Sequence, residues 1–216
     1  MDRVFLDKLL NQISVSGCEE QGQEVLKEYM EAFSDEIWTD EMGDVICILN
    51  PESPVRVMLS AHADEIGLLV TRITESGRIQ AIERGGIIHQ NYPGQKVQIR
   101  TQKGVVYGVV ECSREVIRKE DLKASDFLID IGACSKEDAE KYVAIGDTIV
   151  LDAGVRELTN GRIAARALDD RIGVFVIMEA LKRAKERGCK VGVYAAATVG
   201  EETVKNGAYW SSARIQ

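Results

Sequence analysis

Carboxylates and one histidine are concentrated in three short motifs, and these residue types could carry out metal-dependent hydrolysis. The first motif is AHADE at residues 61–65, which follows an apolar segment. The second is LDDR at residues 168–171, and the third is GEE at residues 200–202. Imidazole nitrogens and carboxylate oxygens are the ligands that zinc and related divalent cations accept in proteins. Together, the motifs indicate a hydrolytic metal site.

The first motif places a histidine and an aspartate two residues apart at the end of a predicted strand. This spacing puts His62 and Asp64 on the same side of the strand. His62 could bind a metal ion while Asp64 accepts a hydrogen bond from the other ring nitrogen, which fixes the tautomer. A histidine in a solvated loop is the commoner origin of so short a motif. The position at the carboxyl end of a strand, where α/β sheets place their sites, favours a ligand.

The two acidic pairs each have a structural and a functional interpretation. Asp169 and Asp170 open a predicted helix, where acids commonly cap the helix and interact with its dipole; a carboxylate bridging two metals would also lie there. Glu201 and Glu202 could form a solvated acidic turn. Alternatively, one of them binds a metal while the other acts as general base on a bound water. Neither acidic pair by itself distinguishes a structural role from a metal site. The three motifs together point to a metal site more specifically than any one of them.

The periodicity of apolar residues predicts the elements that carry these motifs. The last predicted strand is almost continuously apolar, as in a parallel or mixed sheet covered by helices on both faces. The predicted fold class is therefore α/β, with a mixed sheet covered by helices. Helices are predicted over about residues 5–13, 19–33, 169–187 and 208–214, and strands over residues 37–40, 45–49, 55–60 and 190–198.

The middle of the chain has a different pattern. Residues 69–159 contain short β-branched segments separated by glycine-containing turns, and only residues 135–142 look helical. This pattern predicts a small β-rich barrel or sandwich inserted into the α/β domain. The predicted boundaries are residues 1–68 and 160–216 for the discontinuous α/β domain and residues 69–159 for the inserted domain.

Composition excludes several classes of partner. The formal net charge of -8 argues against nucleic acid and anionic membranes. No apolar run reaches the roughly 18 residues of a membrane-spanning helix, and the N-terminus lacks a signal-peptide pattern. The five cysteines are scattered, without a CxxC pair. We therefore expect reduced thiols and a cytoplasmic location.

The combined motifs resemble the glutamyl aminopeptidase family of di-metal peptidases. This family includes the tetrahedral aminopeptidases and some members named cellulase or endoglucanase. The resemblance covers essentially the whole chain and implies a phosphorylase/hydrolase-like aminopeptidase core with an inserted β-rich dimerisation domain. It rests on HADEIG at residues 62–67, GD at 146–147, ALDDRIG at 167–173 and the Glu pair with Gly207-Ala208, and in the insert on residues 85–97 and 129–133.

The resemblance also implies a role for each candidate residue. His62, Asp169 and Glu202 would be metal ligands, with Asp169 bridging two divalent ions, zinc or cobalt. Asp64 would orient His62, and Glu201 would be the general base. Asp170 would follow Asp169 across a strained peptide bond. The family uses a further Asp and a further His beyond the Glu pair, at positions that this sequence does not contain.

We therefore expect a metal-dependent aminopeptidase that removes N-terminal residues from short peptides by a metal-activated water. We also expect that the chain is C-terminally truncated and its activity impaired. One alternative is a non-catalytic remnant that serves as an oligomerisation or interaction module. Another is a polysaccharide hydrolase, since glycosidases need only two carboxyl groups at the right separation. The resemblance further implies a homo-oligomer, from a dimer to a dodecamer.

Overall fold

The computed structural model describes residues 2–215 and contains two compact units. The α/β unit comprises the chain up to Glu65 and from Gly154 onward, and the barrel unit is Ile66–Ala153. These divisions lie a few residues away from the boundaries proposed above. The reason is local: a barrel strand already begins at Gly67, and Val155 packs against the core of the α/β unit.

The described residues form six helices and twelve strands. The chain begins with α1 (Arg3–Asn11), α2 (Glu20–Met30), β1 (Glu36–Thr39), β2 (Val45–Leu49) and β3 (Arg56–His62). The barrel unit contains β4 (Gly67–Ile73), β5 (Ile79–Arg84), β6 (Lys96–Thr101), β7 (Gly104–Val110), α3 (Arg114–Arg118), β8 (Ile129–Asp130), α4 (Lys136–Ala139) and β9 (Thr148–Leu151). The chain continues with β10 (Arg156–Glu157), β11 (Ile163–Ala164), α5 (Leu168–Glu186), β12 (Gly192–Thr198) and α6 (Asn206–Arg214).

The α/β unit is built on a mixed sheet with strand order β1-β2-β12-β3, which confirms the predicted fold class. Strand β12 runs antiparallel to β2 and parallel to β3. All seven residues of β12 are buried. Because side chains alternate across a strand, Val45 and Cys47 face the core that also contains residues of α1, α2 and α5, whereas Ile46 and Ile48 belong to a second core cluster.

Helix α5 departs from the predicted regular helix at its start. Asp169 and Asp170 have non-helical backbone angles, and the peptide bond between them is cis. Regular helical geometry therefore begins after Asp170, and the Asp170 carboxylate caps it by accepting a hydrogen bond from the Gly173 amide at 3.2 Å. Farther along, α5 buries an apolar side that includes Val174, Phe175 and Met178 against the sheet.

The barrel unit is a closed six-stranded barrel with strand order β4-β5-β8-β7-β6-β9. Alternating apolar residues such as Val97 and Ile99 on β6 fill its interior, as period-2 patterning predicts. The helix predicted over residues 135–142 is shorter, because only Lys136–Ala139 is α-helical. Helix α3 was not predicted; it begins at the Ser113 N-cap, whose hydroxyl accepts the Val116 amide at 3.2 Å.

Within residues 2–215, none of the helices combines the length and the apolar character that crossing a bilayer requires.

Candidate functional site

Pairing between β3 and β12 brings the first and third motifs together. The two strands are parallel, with His62 opposite Thr198 at the end of the ladder. The Ala63 amide continues this contact by donating a hydrogen bond to the Thr198 carbonyl at 2.8 Å. The carboxyl ends of both strands therefore meet at one edge of the sheet. This edge presents His62 beside the loop that follows β12 and carries Glu201 and Glu202.

His62 lies at the centre of the candidate site, with each ring nitrogen facing a carboxylate. Nδ1 is 3.4 Å from Asp64 Oδ1 and 3.2 Å from the Asp64 carbonyl oxygen. Nε2 is 3.1 Å from Asp169 Oδ1 and 3.9 Å from Glu201 Oε2. The Asp64 side chain is fully buried, whereas that of Asp169 is 90% exposed. Nδ1 thus faces the protein interior and Nε2 faces the accessible side.

The carboxylates around His62 stabilise its protonated form. Burial by itself would lower the pKa of His62, but the hydrogen bond and charge of Asp64, with contributions from Asp169 and Glu201, raise it to about 9. Burial would likewise raise the pKa of Asp64, but its hydrogen bonds with His62 and with backbone amides outweigh burial and lower that pKa. Asp64 is therefore ionised at neutral pH.

Asp64 also binds the loop that carries the two glutamates. Its Oδ1 accepts the Glu201 amide at 3.1 Å, and its Oδ2 accepts the Glu202 amide at 3.0 Å. The sequence predicts only the contact of Asp64 with His62, so the two hydrogen bonds to the loop are seen only in the structure. Burial and the neighbouring carboxylates raise the pKa of Glu202, against the opposing effect of His62. Lys205 Nζ lies 3.5 Å from Glu201 Oε1.

The donor set matches a divalent cation in its chemistry. The His62 imidazole, whose Nε2 faces the accessible side, and the carboxylates of Asp169 and Glu202 are borderline-to-hard ligands suited to zinc or cobalt, with the Glu201 carboxylate beside them. Across residues 2–215, however, no group of three or more His, Cys, Asp or Glu side chains is already arranged to hold an ion. Instead, His62 and Asp169 contact each other directly. The described residues thus fit a cation by type and supply part of a ligand set.

A buried ion-pair network lies behind the site, and sequence reasoning missed it. The guanidinium of Arg171 is 1% exposed and donates to the Ala63 carbonyl at 2.9 Å, the Gln12 carbonyl at 2.7 Å and Glu65 Oε1 at 2.9 Å. Arg166 also contacts Glu65, at 2.5 Å. Glu65 and Arg171 both belong to the motifs AHADE and LDDR, and this opposite pair of charges is the sequence feature that could have indicated the network. The network fixes the end of β3 against the start of α5, and so positions His62 relative to Asp169.

Comparison with known proteins agrees with this arrangement. A sequence profile described as M42 glutamyl aminopeptidase matches residues 43–216. The chain is 30% identical to a lysyl aminopeptidase of Pyrococcus furiosus over 100% of this chain and 64% of that protein. A TET aminopeptidase structure from the marine sediment archaeon Thaumarchaeota archaeon SCGC AB-539-E09 superposes with a TM-score of 0.90 and 35% identity, covering 98% of this chain and 62% of that one.

A second similar structure is that of a Pyrococcus horikoshii TET1 peptidase, which can assemble into a tetrahedron or a large octahedral shell. Its TM-score is 0.88 at 32% identity, over 98% of this chain and 65% of that chain. The chain therefore spans slightly less than two thirds of each of these relatives. The profile match and the aligned structures together establish that the chain belongs to the M42 glutamyl aminopeptidase family.

Proposed function

We propose that this chain is the part of a metal-dependent aminopeptidase that carries the general base and several metal ligands. The observation that carries the proposal is the convergence of His62, Asp64, Asp169 and the Glu201–Glu202 pair at one sheet edge. The substrates would be short peptides with a free N-terminus, and the reaction would release the N-terminal residue. Membership of the M42 family supports this activity.

His62, Asp169 and Glu202 would hold two divalent cations, with zinc or cobalt as the proposed ions. A bound divalent cation lowers the pKa of a water ligand and polarises the substrate carbonyl. Asp64 orients the His62 ring by accepting from Nδ1, which directs Nε2 towards the accessible side of the site. Asp64 therefore acts through His62 and through the loop, not on the substrate.

Glu201 is the proposed general base. Its Oε2 is 3.9 Å from His62 Nε2, and its side chain is 38% exposed, so a water can approach it from the open side. Glu201 would take the proton of the attacking water and hold it on a carboxylate oxygen. It would then pass this proton to the leaving amine as the peptide bond breaks. Lys205 lies near Oε1 and partly offsets the negative charge of the ionised carboxylate.

We further propose that the chain forms homo-oligomers through its barrel unit and functions in the cytoplasm. Strand β7 presents Val105, Tyr107 and Val109 to solvent on one face, with exposed fractions of 46%, 62% and 44%. A stripe of exposed apolar residues of this kind is a common mark of an interface. The large assemblies of the similar Pyrococcus horikoshii peptidase support this proposal, and the five scattered cysteines support the location.

The proposal is tested by measuring metal content and peptidase activity together. We expect the chain, loaded with zinc or cobalt, to release the chromophore from an aminoacyl substrate in a slow, chelator-sensitive reaction. Glu201→Gln should lower kcat by about 10²- to 10⁴-fold, the usual contribution of a general base, while leaving bound metal unchanged. Glu137→Gln, on the exposed start of α4, is the matched control and should retain full activity.

Two outcomes would contradict the proposal. Sub-stoichiometric metal without turnover would favour a non-catalytic interaction module. Chelator-resistant hydrolysis of a polysaccharide would favour a glycosidase, because two carboxyl groups suffice for that reaction.

A further inference from the structure

The backbone of the loop after β12 is hydrogen-bonded to three carboxylates. Four consecutive backbone amides in this loop each donate a hydrogen bond to a carboxylate from a distant part of the chain. Surface loops usually leave such amides to water. The four contacts are Val199 to Asp44 Oδ1 at 2.8 Å, Gly200 to Glu19 Oε1 at 3.1 Å, and Glu201 and Glu202 to Asp64 Oδ1 and Oδ2 at 3.1 and 3.0 Å.

All three acceptor side chains are buried. Asp44 and Asp64 are completely inaccessible, and Glu19 is 7% exposed. Removing a carboxylate from water is costly unless hydrogen bonds replace its hydration. Charge-assisted hydrogen bonds from backbone amides provide that replacement and are stronger than bonds between neutral groups. Burial raises the pKa of both Glu19 and Asp44, and the charge of Asp64 adds to this effect.

Two of the acceptors, Glu19 and Asp44, each accept a further hydrogen bond from outside residues 199–202. Glu19 Oε1 accepts a second hydrogen bond from the Gly17 amide at 2.9 Å. Asp44 Oδ2 accepts the Ser211 hydroxyl of α6 at 2.5 Å. Glu19 is therefore also held by the segment before α2, and Asp44 by α6.

The remainder of the loop closes on itself. The amides of Thr203, Val204 and Lys205 all approach the Gly200 carbonyl, at 3.4, 3.0 and 2.9 Å. Gly200 has a positive φ of 69°, which a glycine adopts without strain. The Thr203 hydroxyl also lies 2.8 Å from the Ser16 hydroxyl, at the far end of the loop. The orientation of residues 199–202 themselves thus depends on the three carboxylates.

We propose that Glu19 and Asp44 are positioning residues which, together with Asp64, fix the backbone of residues 199–202 so that the side chains of Glu201 and Glu202 face His62. This inference rests on the function proposed above only for its consequence in catalysis. The geometric part concerns the loop alone. Neither residue was a candidate from the sequence, since Glu19 begins the second predicted helix and Asp44 belongs to a predicted turn.

The experiment compares Glu19→Ala and Asp44→Ala with Glu179→Ala in the 216-residue chain. Glu179 is the matched control, because it is also a buried glutamate but its carboxylate accepts from Tyr29 at 3.0 Å, away from the loop. In metal-free protein we expect hydrogen exchange of residues 199–202 to accelerate about 10-fold in the two test variants, as loss of a hydrogen bond to a charged group allows. Glu179→Ala should leave this exchange unchanged.

Cobalt binding and kinetics provide two further readouts. Loss of a residue that orients metal ligands typically weakens metal affinity by about 10- to 100-fold, and we expect this for both test variants. We expect kcat to fall while KM stays constant, since the substrate's binding groups are not altered. Glu19→Gln keeps an acceptor oxygen and should restore most of the exchange protection and cobalt affinity.

Unchanged loop exchange in both alanine variants, or an equal change in Glu179→Ala, would overturn the inference. If the alanine variants do not fold, the amide proton shifts of Glu19→Gln and Asp44→Asn test the inference instead. Glu19→Gln should then move the Gly200 resonance upfield and leave Val199 in place, and Asp44→Asn should do the reverse. The absence of these selective shifts would also overturn it. A chain that neither binds cobalt nor turns over peptide would contradict the proposed function but would leave the exchange test intact.

Discussion

At the scale of single residues, Asp64 links the histidine to the two glutamates. One fully buried carboxylate contacts the His62 ring and also accepts the amides of Glu201 and Glu202. A carboxylate behind a metal-binding histidine commonly raises the basicity of the ring. Here the same group also determines the position of the loop. A change at Asp64 should therefore affect both the histidine and the glutamates.

We predict that Asp64→Asn lowers the pKa of His62 in the metal-free chain. The pKa is about 9 in the parent chain, against an ordinary value of 6.5. Because the folded-state pKa is raised, protonated His62 contributes stability that is fully present below pH 6.5 and is lost as pH rises through about 9. Asp64→Asn should remove much of this contribution. Proton NMR titration of the imidazole measures the shift.

His89 is the internal reference for this titration, because the chain contains two histidines and His89 lies in the barrel unit. Its imidazole proton shifts at a fixed pH should be the same in the parent and variant chains. A His62 pKa that stays near 9 in Asp64→Asn would show that Asp169 and Glu201 alone raise it.

At the scale of elements, the position of α5 depends on Arg171. This guanidinium donates to Ala63, Gln12 and Glu65 from an almost completely buried position. We predict that Arg171→Met lowers the free energy of unfolding of the α/β unit by about 1.5–3 kcal/mol, because Glu65 keeps its contact with Arg166 but loses a charge-assisted hydrogen bond. Urea unfolding followed by tryptophan fluorescence measures this, since Trp38 and Trp210 both belong to the α/β unit.

Arg183→Met is the control for the same substitution on the same helix. Arg183 is exposed, and surface changes usually shift stability by no more than about 0.5 kcal/mol. A similar loss in both variants would mean that helix propensity, not the buried ion pair, is responsible.

The elements themselves were largely predictable, because apolar periodicity depends on local sequence. Strand β2 occupies the predicted residues 45–49, and α6 and β12 begin within two residues of the predicted starts. The errors occur in short segments whose structure depends on individual contacts and not on apolar periodicity. Helix α3 depends on a single Ser113 cap, and α5 has an irregular start that a periodicity argument cannot detect.

At the scale of the whole molecule, the cysteines should report burial in both units. None of the five, all within residues 2–215, is in a disulfide. Burial raises the pKa of Cys47 to about 12, so its reactive thiolate is scarce. We predict that a thiol reagent labels the exposed Cys112 and Cys134 rapidly in the native chain and Cys47 only on unfolding. Mass spectrometry of labelled peptides measures this; rapid native labelling of Cys47 would contradict the packing of β2.

Oligomerisation belongs to the same scale. If the apolar face of β7 forms the proposed interface, sedimentation should give a mass that is a multiple of the 23.9 kDa chain. Tyr107→Glu should shift the species towards the monomer, because a charge in an apolar interface is costly. Ile145→Glu changes an apolar residue outside β7 that is 71% exposed, against 62% for Tyr107, and is the control. A monomeric parent chain, or equal dissociation by both variants, would exclude this interface.

The sequence by itself determined the α/β class and the inserted barrel, because these depend on local patterning, and it placed the His and carboxylate motifs at the ends of strands and the start of a helix. Only the tertiary structure decided which partners those residues contact. The parallel register of β3 and β12 places His62 beside the Glu201–Glu202 loop. Asp44 and Glu19 reach that loop from positions 155 and 181 residues away in sequence. Contacts over such separations depend on chain topology, which no local pattern encodes.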